Sequence, residues 1–474
     1  MADEKKVLLR LEDVKMHFPI KKDNVFQKEQ LFVKAVDGIT LDIYQGETLG
    51  LVGESGCGKS TLGRCVLDLY TPTAGKVYYY GVTLDDYAPE YVRKIIQKIP
   101  SIGKADVQGI LQKHHDAAAV AGGLLLSDDL NAVSDVFMKR FKTVGRLYQA
   151  RVDVELYHFM LGAMAQDEIT DKQKKHLQNL EATIVGIQKD SEAEIAQIAA
   201  LREKAQDKPG YEELEKVHSV GVDLSKLTKE EMRKLRRYLQ IVFQDPYSSL
   251  NPRLTVGNLI SEALVAHKVF PKKAASVEKY TIKVMEDCGL QKYMLHRYSH
   301  QFSGGQRQRI GIARALALKP QFVVCDEAVS ALDVSIQSQI INLLVDMKEQ
   351  NHLTYLFISH DLSTVKFISD RVGVMYLGNM IELGKSNDIY AEPLHPYTEA
   401  LLEAIPTTEE ASNKELQILE GDIPSPIRPP SGCKFHTRCR YATDKCKEER
   451  PEWKELLPEH FVACHYPLLG KKRG

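Results

Sequence analysis

The chain has 474 residues, room for two to four domains, and its composition, 43% hydrophobic and 27% charged, is ordinary for a globular protein in water. A net charge of −1 supplies no general reason to bind nucleic acid or an anionic membrane. The most apolar run, Ala117–Leu126, falls far short of the roughly 20 residues that cross a bilayer. The start of the chain has no apolar secretory segment, so the eight cysteines are expected in a reducing compartment, where a cluster points to metal more than to disulfides.

The first diagnostic stretch is TLGLVG, an apolar strand that runs into Gly53-x4-Gly58-Lys59-Ser60-Thr61, with a helix expected to follow. This is the Walker A pattern in the context it requires. Gly53, Ser55, Gly56 and Gly58 let backbone N–H groups face a phosphate, and the helix N-terminus adds partial positive charge. Lys59 is placed for the β and γ phosphates, and Ser60 for Mg²⁺. Cys57, inside the loop, reads as a filler position more than a reactive thiol.

Next comes GKVYYYGV, a strand ending at Val82, and a near copy of its turn recurs as GVDLSK from Gly221. Joining Val82 to Asp223 gives one continuous strand–turn–helix, so the doubled turn marks the seams of an insertion over 83–220. That insertion reads as helical. Val133, Phe137, Phe141, Val144, Tyr148, Val152, Leu156 and Phe159 recur at helical spacing. Leu177, Leu180, Ile184, Ile187, Ile198 and Leu201 do the same. Two helices of about 30–35 residues are expected, with a turn over Gly162–Asp171, Thr170 as a cap and DKPG as the stop. The hairpin is expected to bury its stripes without help from the core. Shorter helices are expected at its base. The pair His114–His115 is too isolated for a metal site.

Beyond the insertion, IVFQDP carries Gln244, and QFSGGQRQRIGIARAL places Ser303, Gly304, Gly305 and Gln306 at the start of a second helix suited to an anion. QFVVCDEAVSALD is a short apolar strand ending in Asp326 and Glu327, followed by Asp333. Asp326 can serve a metal and Glu327 can orient a water, which is the positioning that phosphoryl transfer needs. TYLFISHD ends a further strand at His360.

These motifs, in this order, resemble the ATP-binding cassette (ABC) ATPases. The resemblance implies an α/β P-loop fold: a RecA-like core, an antiparallel β subdomain and a helical subdomain over 245–318. It makes Gln244 the Q-loop residue, Ser303–Gln306 the signature, Asp333 the D-loop residue and His360 the switch histidine. Phe18, in LEDVKMHFPI, sits where an aromatic side chain stacks on adenine. The family pairs two such ATPases head to tail, so each signature closes on the other's ATP. Catalytic work then falls to Glu327, His360, Gln244 and Lys59, nucleotide binding adds Thr61, and Mg²⁺ falls to Ser60, Gln244 and Asp326.

The C-terminal part contains HPYT, GDIPSP and the spacing Cys433-x5-Cys439-x6-Cys446-x17-Cys464. Four thiolates suit tetrahedral Zn²⁺ or a [4Fe–4S] cluster, and spacing alone leaves both open. His436 and His465 flank the cysteines without being expected as ligands. The extension resembles that of ATPases in the oligopeptide, dipeptide and nickel import branch, whose members carry an iron–sulfur cluster there.

The expected organisation is 1–82 for the β subdomain and Walker A core, 83–220 for the insertion, 221–385 for the rest of the core and 386–474 for the Cys-rich extension. The expected function is the ATP-hydrolysing subunit of an importer for oligopeptides, dipeptides or a related solute. It would lie on the cytoplasmic face of the membrane. Its partners would be a second, non-identical ATPase, two permeases and an extracytoplasmic solute-binding protein; the insertion is either a tolerated surface elaboration without a role or a docking surface for a further protein. DNA-repair and chromosome ATPases also carry helical insertions, but the near-neutral charge and the import-type extension argue against a nucleic-acid partner. A regulatory ATPase without a permease is the third reading.

Overall fold

The computed structural model describes residues 5–21, 29–103, 105–162, 169–270, 275–330, 332–404 and 421–470. In chain order the strands are β1 Val7–Pro19, β2 Phe32–Tyr44, β3 Thr48–Val52, β4 Ala74–Thr83, β5 Gly221–Asp223, β6 Leu239–Val242, β7 Phe322–Asp326, β8 Thr354–Ile358, β9 Arg371–Tyr376, β10 Asn379–Lys385, β11 Lys454–Leu457 and β12 His460–Val462. The chain divides into two units, Met1–Val77 with Arg236–Ser261 and Ile282–Gly474, and Tyr78–Leu235 with Glu262–Thr281.

The first unit is built on a sheet ordered β11-β12-β10-β9-β3-β8-β7-β6. β3, β7 and β8 are buried at every position, as their continuous apolar runs require of parallel strands covered on both faces. Their register aligns their ends. Leu51 lies opposite Ile358, and Asp326 opposite Ile358 on the other side. The phosphate loop, Asp326 and the Ser359–His360 turn therefore leave the sheet at one edge, the carboxyl edge where α/β sheets bind ligands. β1 and β2 form a long antiparallel pair in the same unit. Helices Val256–Ala266, Ala275–Asp287 and Gly304–Leu316 occupy the stretch between β6 and β7.

In the second unit, β5 pairs antiparallel with the far end of β4, Thr83 lying opposite Gly221. Leu84 N–H donates to Val220 O at 2.7 Å. The two seams of the insertion are thus neighbours in space. Between them run helices Glu90–Lys98, Val107–Lys113, His115–Ala121, Leu130–Leu161, Asp171–Ala205 and Tyr211–Glu215. Asp129 caps the first long helix through Ala132 N–H. Thr170 and Gln173 form a reciprocal capping box on the second. Most of the expected turn, 163–168, lies outside the described residues.

The hairpin does not bury its stripes unaided. Its dry core sits at the base, where Ile99, Ile110, Leu124, Val133 and Leu214 pack together. Further along, the two long helices meet through polar groups: Thr143 Oγ1 donates to the buried Glu194 Oε1 at 2.7 Å, and Arg140 bonds Ser191. Phe159 leans on Phe270 and Tyr280, at centroid distances of 6.1 and 4.9 Å. The apolar repeat read at helical spacing is therefore shared among three sets of neighbours.

Candidate active site

The loop Gly53–Lys59 turns between β3 and the helix Lys59–Val66. Gly58 has φ +104, and a Cβ there would lie 2.0 Å from Ala35 O; Gly53 has φ +146 and would meet Met375 O at 2.3 Å. Both positions therefore demand glycine. Ser55 and Gly56 are exposed at the loop's outer face. Lys59 is buried, and its ammonium donates to Gly53 O at 2.7 Å and Glu54 O at 3.1 Å. Cys57 is also buried, and burial pushes its thiol up against the pull of Lys59, which suits a packing position rather than a reactive one.

Ser60 Oγ donates to Asp326 Oδ1 at 2.6 Å, and Arg64 approaches Asp326 Oδ2 at 3.8 Å. Asp326 is 1% exposed. Burial pushes its carboxyl above the ordinary carboxylate range, with Ser60 and Arg64 pulling the other way. A hydroxyl and a buried carboxylate in contact form an oxygen donor set suited to a hard cation such as Mg²⁺. Thr61 is half-buried, one residue further along the same helix.

Glu327 stands next to this pair in a left-handed conformation, φ +46, with its N–H bonded to Ile358 O at 3.0 Å. Such a backbone costs a non-glycine residue of order 1–3 kcal/mol, and this kind of strain concentrates at active sites. Gln244 Nε2 donates to Glu327 Oε2 at 2.6 Å, and the exposed His360 brings Nδ1 to 3.7 Å from the same oxygen. Five groups taken from four separate motifs, Ser60, Asp326, Glu327, Gln244 and His360, thus converge on one point at the edge of the sheet.

Phe18 meets the ring of Tyr70 edge-on at 5.5 Å, and Arg64 Nη1 donates to Tyr70 Oη at 3.0 Å. The neighbouring His17 is occupied by Asp37 at 3.0 Å. Tyr70 and Arg64 were not singled out in the sequence, since neither lies in a motif. Ser303 and Gln306 satisfy each other in a capping box: Gln306 N–H donates to Ser303 Oγ at 3.4 Å and Ser303 N–H to Gln306 Oε1 at 3.1 Å. With Gly304 and Gly305 they form the start of the helix Gly304–Leu316, and Ser303 is exposed. Asp333 is exposed at the start of helix Val334–Asn351, beside Val334 at 80% exposure.

Comparison with known proteins gives this geometry its setting. Residues 36–177 and 208–330 match the family profile described as ABC transporter. Residues 381–446 match that of the oligopeptide/dipeptide transporter, C-terminal region. The oligopeptide transport ATP-binding protein AppF of Bacillus subtilis is 36% identical over 469 residues, covering 98% of each chain. The chain belongs to the ATP-binding subunits of ABC transporters.

A putative peptide import ATP-binding protein of Brucella ovis is 52% identical over 244 residues, 52% of this chain and 76% of the relative. Among solved structures, the dimeric post-hydrolysis state of the ATP-binding cassette MJ0796 bound to ADP and Pi covers 80% of this chain and 99% of its own, at 18% identity and a TM-score of 0.45. By its family profile and its relative over the whole chain, this ABC ATPase is an ATP-hydrolysing subunit that energises a transporter. The match of its C-terminal region leaves the DNA-repair alternative without support. No helix among the described residues is long and apolar enough to cross a membrane.

In the C-terminal part of this ABC ATPase, Cys433, Cys439, Cys446 and Cys464 line one small cavity of about 10 Å³. Among the described residues, however, no three His, Cys, Asp or Glu side chains stand close enough together to hold a metal ion. The expectation of a cluster or of zinc therefore has the right residues around one cavity without a formed ligand set. Burial pushes the Cys433 thiol to about 11 and the Cys464 thiol to about 12, and the neighbouring cysteines push the same way.

Proposed function

We propose that this ABC ATPase powers uptake of oligopeptides or dipeptides, working at the cytoplasmic face of the membrane. Its relatives are named for oligopeptide transport and peptide import. The observation that carries the site assignment is the convergence of Ser60, Asp326, Glu327, Gln244 and His360 at the carboxyl edge of one sheet.

In this reading Gly53, Ser55, Gly56, Gly58 and Lys59 cradle the β and γ phosphates with N–H groups and one ammonium. Thr61 stands behind Ser60 in this cradle, and Phe18 stacks on the adenine. Ser60, Asp326 and Gln244 hold Mg²⁺, which when bound neutralises phosphate charge. Glu327 accepts a proton from the attacking water, and His360 donates to the γ-phosphate as negative charge moves onto its oxygens. Ser303, Gly304, Gly305 and Gln306 close over the γ-phosphate held by a second ATPase, and Asp333 lies at that junction. Support for a covered face comes from Val334, 80% exposed beside Asp333.

The partners are a non-identical ATPase, two permeases and, through them, a solute-binding protein. Tyr247, 62% exposed just after Gln244, is a fitting contact for a permease helix. The segment 83–220 is an addition to the cassette, and its partner is a further protein. The four cysteines hold a [4Fe–4S] cluster, with Zn²⁺ as the other occupant that the same thiolates suit; the bound group supplies cross-linking of the extension. Anaerobically purified protein that is colourless and iron-free would remove the cluster.

The deciding experiment mixes the Glu327→Gln chain with its cognate ATPase and saturating Mg·ATP. A stable pair on size exclusion is expected, and co-purification of the native chain with two permeases. Two separate monomers under those conditions would overturn the reading.

A further inference from the structure

Glu54 is the first variable residue of the phosphate loop, and every polar group it owns is engaged. Its N–H donates to Tyr397 Oη at 2.9 Å. Its carbonyl accepts from Lys59 Nζ at 3.1 Å and Cys57 N–H at 3.2 Å. Its carboxylate accepts a two-pronged contact from Arg438, Nη1 to Oε2 at 2.7 Å and Nη2 to Oε1 at 3.0 Å. Arg438 is 4% exposed, while Glu54 is 23% exposed. Both outside partners belong to the C-terminal extension, 343 and 384 residues away in sequence. Tyr397 is packed among Tyr376 and Phe435, at 4.8 and 5.3 Å, so it reaches the loop from a rigid base.

A carboxylate in this loop is a physical problem. The loop's function is to gather N–H groups and an ammonium around a polyanion, and a fixed negative charge there repels the ligand. The guanidinium fork cancels that charge with geometry a lysine cannot match. Tyr397 uses the Glu54 N–H, at the loop's first bend.

We propose that Arg438 and Tyr397 are positioning residues for ATP binding, which makes the C-terminal extension part of the nucleotide site. Arg438 acts by neutralising and fixing Glu54. The inference rests on the reading of Gly53–Thr61 as the ATP phosphate site.

The test is equilibrium titration of the full chain with fluorescent trinitrophenyl-ATP. Arg438→Gln is expected to bind about tenfold more weakly, the change that accompanies loss of a strong charge-assisted contact. Adding Glu54→Gln to that variant is expected to restore affinity to within about twofold of wild type, because the unpaired carboxylate is then gone. A general structural role would make the double variant no better than the single one. If Arg438→Gln does not fold, Arg438→Lys takes its place, with about threefold weakening expected and the same rescue. Wild-type affinity in the Arg438 variants, or no rescue by Glu54→Gln, overturns the inference. Failure of the wild-type chain to bind the probe would instead overturn the phosphate-site reading.

Discussion

Gln244 Nε2 and Glu327 Oε2 are 2.6 Å apart although 83 residues separate them in sequence. The amide hydrogen bond fixes a carboxylate whose own backbone is held left-handed, at φ +46. The strain sets where Glu327 points, and the amide sets how its oxygens turn. Gln244 is in turn the last residue before the turn capped by Asp245, whose carboxylate accepts from Tyr247 N–H at 2.8 Å and Ser248 N–H at 3.3 Å. A push on that turn from outside would reach Glu327 through one hydrogen bond.

Removal of the Glu327 carboxylate should therefore affect hydrolysis and leave binding intact. Glu327→Gln is expected to lower kcat by roughly a hundredfold or more, the scale of a lost general base. Affinity for Mg·ATP should stay within about twofold. Steady-state phosphate release and nucleotide titration check both; a matching loss in affinity would show that Glu327 holds nucleotide instead.

The buried Asp326 leads to a stability prediction. A folded-state pKa raised by burial means the group favours the fold at acid pH and burdens it once pH exceeds the raised value. At neutral pH the charge is a burden, which Mg²⁺ held by Asp326 in the proposed site would relieve. Asp326→Asn should thus raise Tm without nucleotide by about 2 °C, a small shift for a chain of this size. The further rise on adding Mg·ATP should be larger in the wild type than in the variant. Scanning calorimetry with and without Mg²⁺ decides it.

What could be read in the sequence follows from how local each signal is. Gly53 to Ser60 is one loop, and its glycines, lysine and serine declare their chemistry by spacing alone. β3, β7 and β8 are legible because a strand covered on both faces must be apolar throughout. The long helices of the second unit are legible from their repeats, and Thr170 as their cap from its place before the second one. Arg438 and Glu54 are different: each is an ordinary surface-type residue, and only the fold joins them. Thr143 and Glu194 break the apolar rule by meeting through a hydrogen bond to Glu194 Oε1, so the helix contact they form carries no periodic signal.

The Asp37–Lys434 pair gives a pH dependence of the opposite sign. Burial opposes the charge of Asp37, yet Lys434 at 2.9 Å, His17 and Lys34 outweigh it and hold the carboxyl at about 2. Lys434 is itself pushed below the ordinary lysine range, because its burial outweighs the pull of Asp37. The attraction is shared; the difference lies in desolvation. A carboxyl lowered from 3.8 stabilises the fold above that pH and loses this contribution as pH falls toward about 2. Lys434→Met should cost roughly 2 kcal/mol at pH 7, less than a fully buried pair because both groups keep some water. It should also move acid unfolding to higher pH. Urea unfolding at pH 7 and at about pH 2 is the measurement, since the contribution is lost only as pH falls toward the lowered value, and equal losses at both would exclude the ion pair as the cause.

The insertion can be tested by cutting where its ends meet. Thr83 and Gly221 face each other across β4 and β5, so replacing 84–220 by Asn-Gly should close an ordinary two-residue hairpin. Excision also removes Phe159, whose ring packs against Phe270 and Tyr280. Phe270 is 2% exposed and Tyr280 6% exposed with that ring in place. In the intact chain, Phe159→Ala should cost about 3 kcal/mol, the scale of an aromatic removed from a packed site. The excised chain should bind trinitrophenyl-ATP but self-associate without nucleotide, since it bares an aromatic patch. Adding Phe270→Ser and Tyr280→Ser should suppress that association. Light scattering and nucleotide titration of the three chains separate the outcomes: loss of ATP binding on excision would mean that 84–220 is part of the ATPase fold, and association unchanged by the serines would place the sticky surface elsewhere.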